Sequence, residues 1–251
     1  MSSVRVYGQP GSGRTALAAA LRQAGIDARE CELPTLSSES GPDAPEGSFD
    51  DATRTVAGEG DARQPGPTVV VLAASARDGV GVELGAWWEE LAESFTPRVL
   101  VWTFTDVGRA DDDDMRAITE RLLGEPNYAV ALPLADDDDE FAGVLDMRDA
   151  SIHESSAGGT VVRSADAEHE TIAAPLLDEL IDAVLANTDD ESALAGRMAG
   201  MSLSPQRLRT LLSDAIAAGT VVVSMPVRAV SPMIGVDVLA DVIASALEAG
   251  N

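Results

Sequence analysis

The segment Gly8-Gln9-Pro10-Gly11-Ser12-Gly13-Arg14-Thr15 constrains this chain more than any other, because it joins an apolar run, Val4 to Tyr7, to a stretch of helical character, Thr15 to Gln23, that stops by Gly25. A strand, a glycine-rich turn and a helix in that order match the spacing G-x-x-x-x-G-K-[S/T]. In such a loop the backbone N–H groups converge on phosphate oxygens at a helix N-terminus, where the helix dipole adds positive potential. Gly8, Gly11, Ser12 and Gly13 belong to that cradle. Arg14 stands where a lysine normally reaches the β- and γ-phosphates, and Thr15 supplies the hydroxyl that ligates Mg²⁺. Arginine keeps the charge, but its planar fork is wider than an ammonium and cannot follow the same narrow path over the loop. The expectation is phosphate binding weakened rather than abolished. A plain tight turn is the alternative.

Regularity elsewhere supports an α/β class. Thr68 to Ala74 and Arg98 to Thr103 are continuous apolar runs typical of strands buried on both faces, each followed by a helical stretch, Glu83 to Ser94 and about Asp113 to Leu123. That alternation implies a parallel sheet covered by helices. From Pro126 the pattern changes: Tyr128 to Leu132 and Phe141 to Ile152 read as short strands, with hairpin material at Gly158 and Gly159. Helices follow over Ile172 to Ala186 and Pro205 to Ala218, and the α/β pattern returns with a strand at Thr220 to Ser224 and a helix at Val236 to Ala249. The expected organisation is a P-loop core of residues 1–125 and 219–251, interrupted by an α+β subdomain at 126–218. Residues 34–66, rich in Ser, Gly, Pro, Asp and Glu, read as a long loop with a short helix around Asp51 to Val56.

Composition excludes several classes. A net charge of −26 argues against a generic attraction to nucleic acid, which draws on Lys and Arg clusters; all 17 basic residues are arginine. No run approaches the ~20 apolar residues of a spanning helix, so a soluble, cytoplasmic protein without membrane contact is expected. The single cysteine, Cys31, fits a reducing compartment. Two aspartate runs, Asp111 to Asp114 and Asp136 to Asp139, lack the interleaving of a calcium loop and read as solvated turns or helix starts. Trp87 and Trp88 are adjacent on a helix and point about 100° apart, so one is expected inside and the other elsewhere.

Thr103-Phe104-Thr105-Asp106 lies at the carboxyl end of an expected strand, where open α/β sheets place ligand-binding residues. It occupies the place of an N-K-x-D motif, whose aspartate accepts hydrogen bonds from guanine N1 and N2. Only Asp106 of that motif is present. The alternative is an aspartate that ends a strand and begins a turn.

With these segments in order, the chain resembles the GTP-binding domain of elongation factor G and related translational GTPases. Val4 to Gly8 leading into the loop, Thr68 to Ala74 before the tryptophan-bearing helix, Pro97 to Val101 running into Thr103 to Asp106, Phe141 to Asp146, Gly219 to Val223 and Gly235 to Leu239 carry the resemblance. It implies a G-domain-like fold with an insertion, binding of GTP or GDP with Mg²⁺, and Gly8, Gly11, Ser12, Gly13, Arg14, Thr15 and Asp106 as the nucleotide contacts. The departures matter equally. Residues 24–66 contain no D-x-x-G; Asp78-Gly79-Val80-Gly81 follows the wrong strand, and no histidine follows it to position a water. His153 and His169 fall in the insertion, where surface or structural roles are expected. Ser224-Met225-Pro226 matches the family's S-A-x motif poorly. Three functions stay open: a guanine-nucleotide-binding domain with weak or no hydrolysis, a pseudo-GTPase serving as a protein-interaction module, and a P-loop ATPase or kinase-like enzyme.

Overall fold

A computed structural model describes residues 3–33, 68–105, 111–138, 140–156 and 159–251. The expected short helix at 51–56, Asp106, Asp139 and Gly158 lie outside the described residues.

The main sheet has six parallel strands in the order β2-β1-β3-β4-β10-β5, formed by β1 (Ser3–Gly8), β2 (Ala28–Glu30), β3 (Thr68–Ser75), β4 (Arg98–Thr103), β5 (Tyr128–Ala129) and β10 (Val223–Pro226). Both faces are covered, which is why the middle positions of β3 and β4 are apolar. Val4, Val6, Val69, Val71, Val99 and Val101 pack on one face against α1 (Arg14–Gln23), α6 (Pro205–Ala217) and α7 (Val236–Ala249). Tyr7, Val70, Leu72, Leu100 and Trp102 pack on the other against α2 (Leu84–Glu93) and α3 (Asp112–Leu123).

A second sheet is antiparallel, β6-β7-β8-β9, from Ala131–Ala135, Phe141–Asp146, Ser151–Ser156 and Gly159–Ser164. Its Leu132, Leu145 and Ile152 pack with Ala173 of α4 (Ala167–Ala186), which is followed by the short α5 (Glu191–Met198). The expected insertion at 126–218 shares elements with the main sheet and core. Tyr128 and Ala129 pair with β10 in the main sheet, and Leu208, Leu211 and Leu212 of α6 belong to the main core. One continuous segment, 128–135, therefore serves both sheets. The pair of tryptophans also corrects its expectation: both are buried, at 3% and 0% exposure, in the same cluster. An apolar helix face is itself about 100° wide, so neighbours at its two margins can both be inside. Trp87 reaches Tyr7, with ring centroids 4.9 Å apart, and Trp88 Nε1 donates to Glu125.

The aspartate runs take local structural roles. Asp111 caps α3 by accepting from the Asp114 N–H at 2.8 Å, and Asp136 closes the β6–β7 turn by accepting from the N–H groups of Asp138 and Glu140. Asp112 departs from the solvated expectation. Its side chain is only 12% exposed, and burial raises its carboxyl to about 6.

Charged groups join the second sheet to α6 and α7. Arg148 binds the buried Asp146 through two nitrogens and reaches Asp241, while Arg209 reaches Asp149 and Asp241. His153 on β8 meets Asp237 in the first turn of α7 at 2.6 Å, and its other ring nitrogen meets Ser151 Oγ at 3.0 Å. The Asp237 bond raises the His153 pKa above 6.5 despite burial, and Asp146 and Asp149 add to the shift. For Asp237, burial opposes ionisation but the His153 bond outweighs it, and its carboxyl sits below 3.8. A raised histidine pKa gives stability that is full below the unfolded value and fades as pH rises through the folded value. His153→Gln is therefore expected to cost about 1 kcal/mol at a pH of about 5.5, discounted for the partial exposure of Asp237, and much less at about 8.5. Denaturant melts of both proteins at the two pH values check this; a difference that grows with pH refutes the assignment.

Candidate functional site

The loop between β1 and α1 lies at the carboxyl end of the sheet, with its conformation set by glycine. Gly11 and Gly13 have φ of 87° and 79°, in the left-handed region, and Gly13 is the N-cap of α1. A Cβ on Gly8 would lie 2.2 Å from Ser12 Oγ and 2.8 Å from the Ala73 carbonyl, so β1 must end in glycine for the chain to turn there. The Ser12 N–H donates to the Gln9 carbonyl at 3.0 Å, and Thr103 Oγ1 at the end of β4 donates to the Ser12 carbonyl at 2.6 Å. Ser12 Oγ is buried and has no hydrogen-bond partner among the described residues.

Two neighbouring segments hold the loop. Gln9 accepts from the Gly81 N–H at 3.1 Å and donates to Glu83 at 2.6 Å, which ties the loop to the β3–α2 connection. Phe104 adopts φ 58°, and its ring lies 3.4 Å from where a Cβ on Gly13 would stand; the Arg77 guanidinium covers that ring at 4.9 Å.

Arg14 and Thr15, the residues expected to meet phosphate and Mg²⁺, meet a carboxylate. Arg14 donates through one nitrogen to the Gly8 carbonyl at 2.6 Å and through Nε to Glu30 Oε1 at 2.9 Å. Thr15 Oγ1 donates to the same Glu30 oxygen at 2.8 Å. The Arg14 bond, then the Thr15 bond, holds the Glu30 carboxyl below its usual range. Glu30 sits at the end of β2, parallel and adjacent to β1. It is the site residue that the sequence reading missed. The available signal was an acidic residue closing a short strand directly after α1, at Ala28-Arg29-Glu30.

Thus Gly8, Gly11, Ser12, Gly13, Arg14 and Thr15 come together at one helix N-terminus, with Glu30 added; Asp106 lies outside the described residues. Asp78 does not reach the loop contacts described above: its N–H donates to Ser75 Oγ at 3.0 Å and its carboxylate pairs with Arg77. His169 pairs with Asp166 in the first turn of α4, and His153 lies at the junction described above. Among the described residues, no cluster of three or more metal-ligating side chains occurs, and no helix is long and apolar enough to cross a membrane.

No known family profile matches the sequence, and no curated protein matches it. Solved structures do match, among them a crystal structure of a protein from Thermus thermophilus, with a TM-score of 0.68 and 19% identity over 97% of this chain. The chain spans 40% of the length of that protein. At that identity the likeness is one of fold, a mixed α/β architecture built on a six-stranded parallel sheet flanked by helices.

Proposed function

We propose that this chain is a guanine-nucleotide-binding domain of the P-loop class, similar to the GTP-binding domain of elongation factor G, with weak or no GTP hydrolysis. The observation that carries the reading is the Glu30 carboxylate bonded to both Thr15 and Arg14 at the N-terminus of α1. A carboxylate held there by a loop arginine and a helix-start hydroxyl marks a place built for negative charge. With phosphate in the place that Glu30 now fills, the Thr15 hydroxyl would ligate Mg²⁺, which when bound neutralises phosphate charge. The loop N–H groups around Gly11 to Gly13 bind phosphate oxygens in this reading, Arg14 supplies the cation, and Thr103 holds the loop from below. Preference for guanine rests on Asp106 at the place of the N-K-x-D aspartate. Weak or absent hydrolysis follows from a sequence that lacks D-x-x-G at residues 24–66 and a histidine after Asp78-Gly79-Val80-Gly81.

A second reading, a pseudo-GTPase acting as a protein-interaction module, draws on the same contacts: Arg14 is already engaged with Gly8 and Glu30, so a ligand must compete for it.

Thermal midpoints with GTP, GDP and ATP in Mg²⁺ separate the readings. Ligand at ~100 times its dissociation constant stabilises a folded protein by about 2.7 kcal/mol, so GTP and GDP are expected to raise the midpoint by about 5 to 11 °C. Gly13→Val removes the left-handed N-cap and crowds Phe104, and should abolish the shift. No shift with any nucleotide would favour the interaction module, and an equal or larger shift with ATP would overturn the guanine assignment.

A further inference from the structure

The outer edge of β9, Gly159–Ser164, ends the second sheet and pairs only with β8 among the described residues. All six of its residues are exposed; Val161 is 49% and Val162 56% exposed. An edge strand presents a row of unpaired N–H and C=O groups, and proteins ordinarily blunt such edges with proline, bulges or inward charges. β9 has none of the first two, because its register against β8 runs without a break from Ser151↔Ser164 to Ser156↔Gly159. Its one charge, Arg163, is paired with Glu154 at 2.7 Å. Thr160, Val161 and Val162 are β-branched, the residue types that suit a further strand.

We propose that β9 is a strand-addition site for an extended, Lys/Arg-rich segment of a partner protein. Backbone pairing along the edge supplies affinity, and side chains of alternating direction supply selectivity. Charge selects the class of partner. Glu154 and Arg163 neutralise each other, Asp166, Glu168 and Glu170 follow the strand directly, and the whole chain carries −26, so the charge around this edge is acidic. A second copy of the chain would bring the same acidic rims together and is repelled.

The probe is a short synthetic peptide alternating lysine and valine, compared with one alternating glutamate and valine, against the full chain at low salt. The lysine peptide should bind and slow amide exchange at 159–164, and the glutamate peptide should not. Val161→Lys with Val162→Lys keeps the backbone but adds two positive charges to the edge, and should weaken binding of the lysine peptide about tenfold. Adjacent residues of an edge strand turn their N–H groups alternately to the neighbour and outward. Of Val161→Pro and Val162→Pro, the variant whose midpoint stays within about 2 °C of the parent should therefore lose peptide binding. Equal binding of both peptides, protection elsewhere in the chain, or protection of β9 that rises with protein concentration alone would overturn the proposal, the last outcome in favour of a second copy.

Discussion

Replacing Glu125 with alanine is expected to destabilise the protein by about 3 to 5 kcal/mol, because it leaves a buried guanidinium without its counter-ion. Arg98 is 3% exposed. It donates to Glu125 through Nε at 2.9 Å and through a terminal nitrogen at 2.6 Å, and to the carbonyls of Thr96 at 2.9 Å and Gly219 at 3.1 Å. The same carboxylate accepts from Trp88 Nε1, so its removal strands an indole donor as well. Two carbonyl bonds remain to Arg98 in the variant, but neither carries charge. The double replacement Arg98→Met with Glu125→Leu removes both charges and keeps apolar bulk, but it still leaves Trp88 Nε1 and the Thr96 and Gly219 carbonyls without these partners, so it should recover only part of the loss. Denaturant midpoints for the single and double variants test the argument: a single variant as stable as the parent would show that Arg98 is not held by Glu125.

The parts legible in the sequence are those whose side chains carry a simple rule. β3 and β4 are buried on both faces and carry unbroken apolar runs, Val69 to Ala74 and Val99 to Trp102, so their spans read almost to the residue. The glycines of the β1–α1 loop were legible because their spacing requires a strand before and a helix after. Other features depended on partners distant in the chain. The split of residues 128–135 between two sheets follows from β10 arriving beside Tyr128 and Ala129, nearly a hundred positions later, and Asp112 is buried because Trp102 and Arg116 enclose it. Glu30 is the instructive case. A three-residue strand has too few positions to show a period, and β2 is exposed at two of its three residues. Its meaning lies in where β2 pairs: parallel to β1, which brings its terminal carboxylate to Thr15 and Arg14.

That dependence of the site on one strand end leads to the second large effect, at Gly8. Gly8→Ala places a methyl 2.2 Å from Ser12 Oγ and 2.8 Å from the Ala73 carbonyl on the neighbouring strand. Ser12 Oγ can rotate aside, but Ser12 Cβ at 3.2 Å and the Ala73 carbonyl, which belongs to the β1–β3 ladder, yield only if backbone moves. Overpacking of this kind costs about 2 to 3 kcal/mol, and here the strain falls on the loop. The Gly8 carbonyl would shift away from Arg14, and Ser12 would lose its seat under Thr103. If the proposed nucleotide site is correct, nucleotide-dependent stabilisation should vanish together with part of the stability. Gly11→Ala supplies the contrast, because no atom lies within 4 Å of its added methyl and only its left-handed φ of 87° opposes the change. That substitution should cost about 1 to 2 kcal/mol, the ordinary penalty for a side chain in the left-handed region, and should leave a weakened nucleotide response. A Gly8→Ala protein that melts with the parent and keeps its full response to GDP would show that the loop does not need the close approach of β1 to Ser12, and would remove the steric basis for reading Gly8 as part of the site.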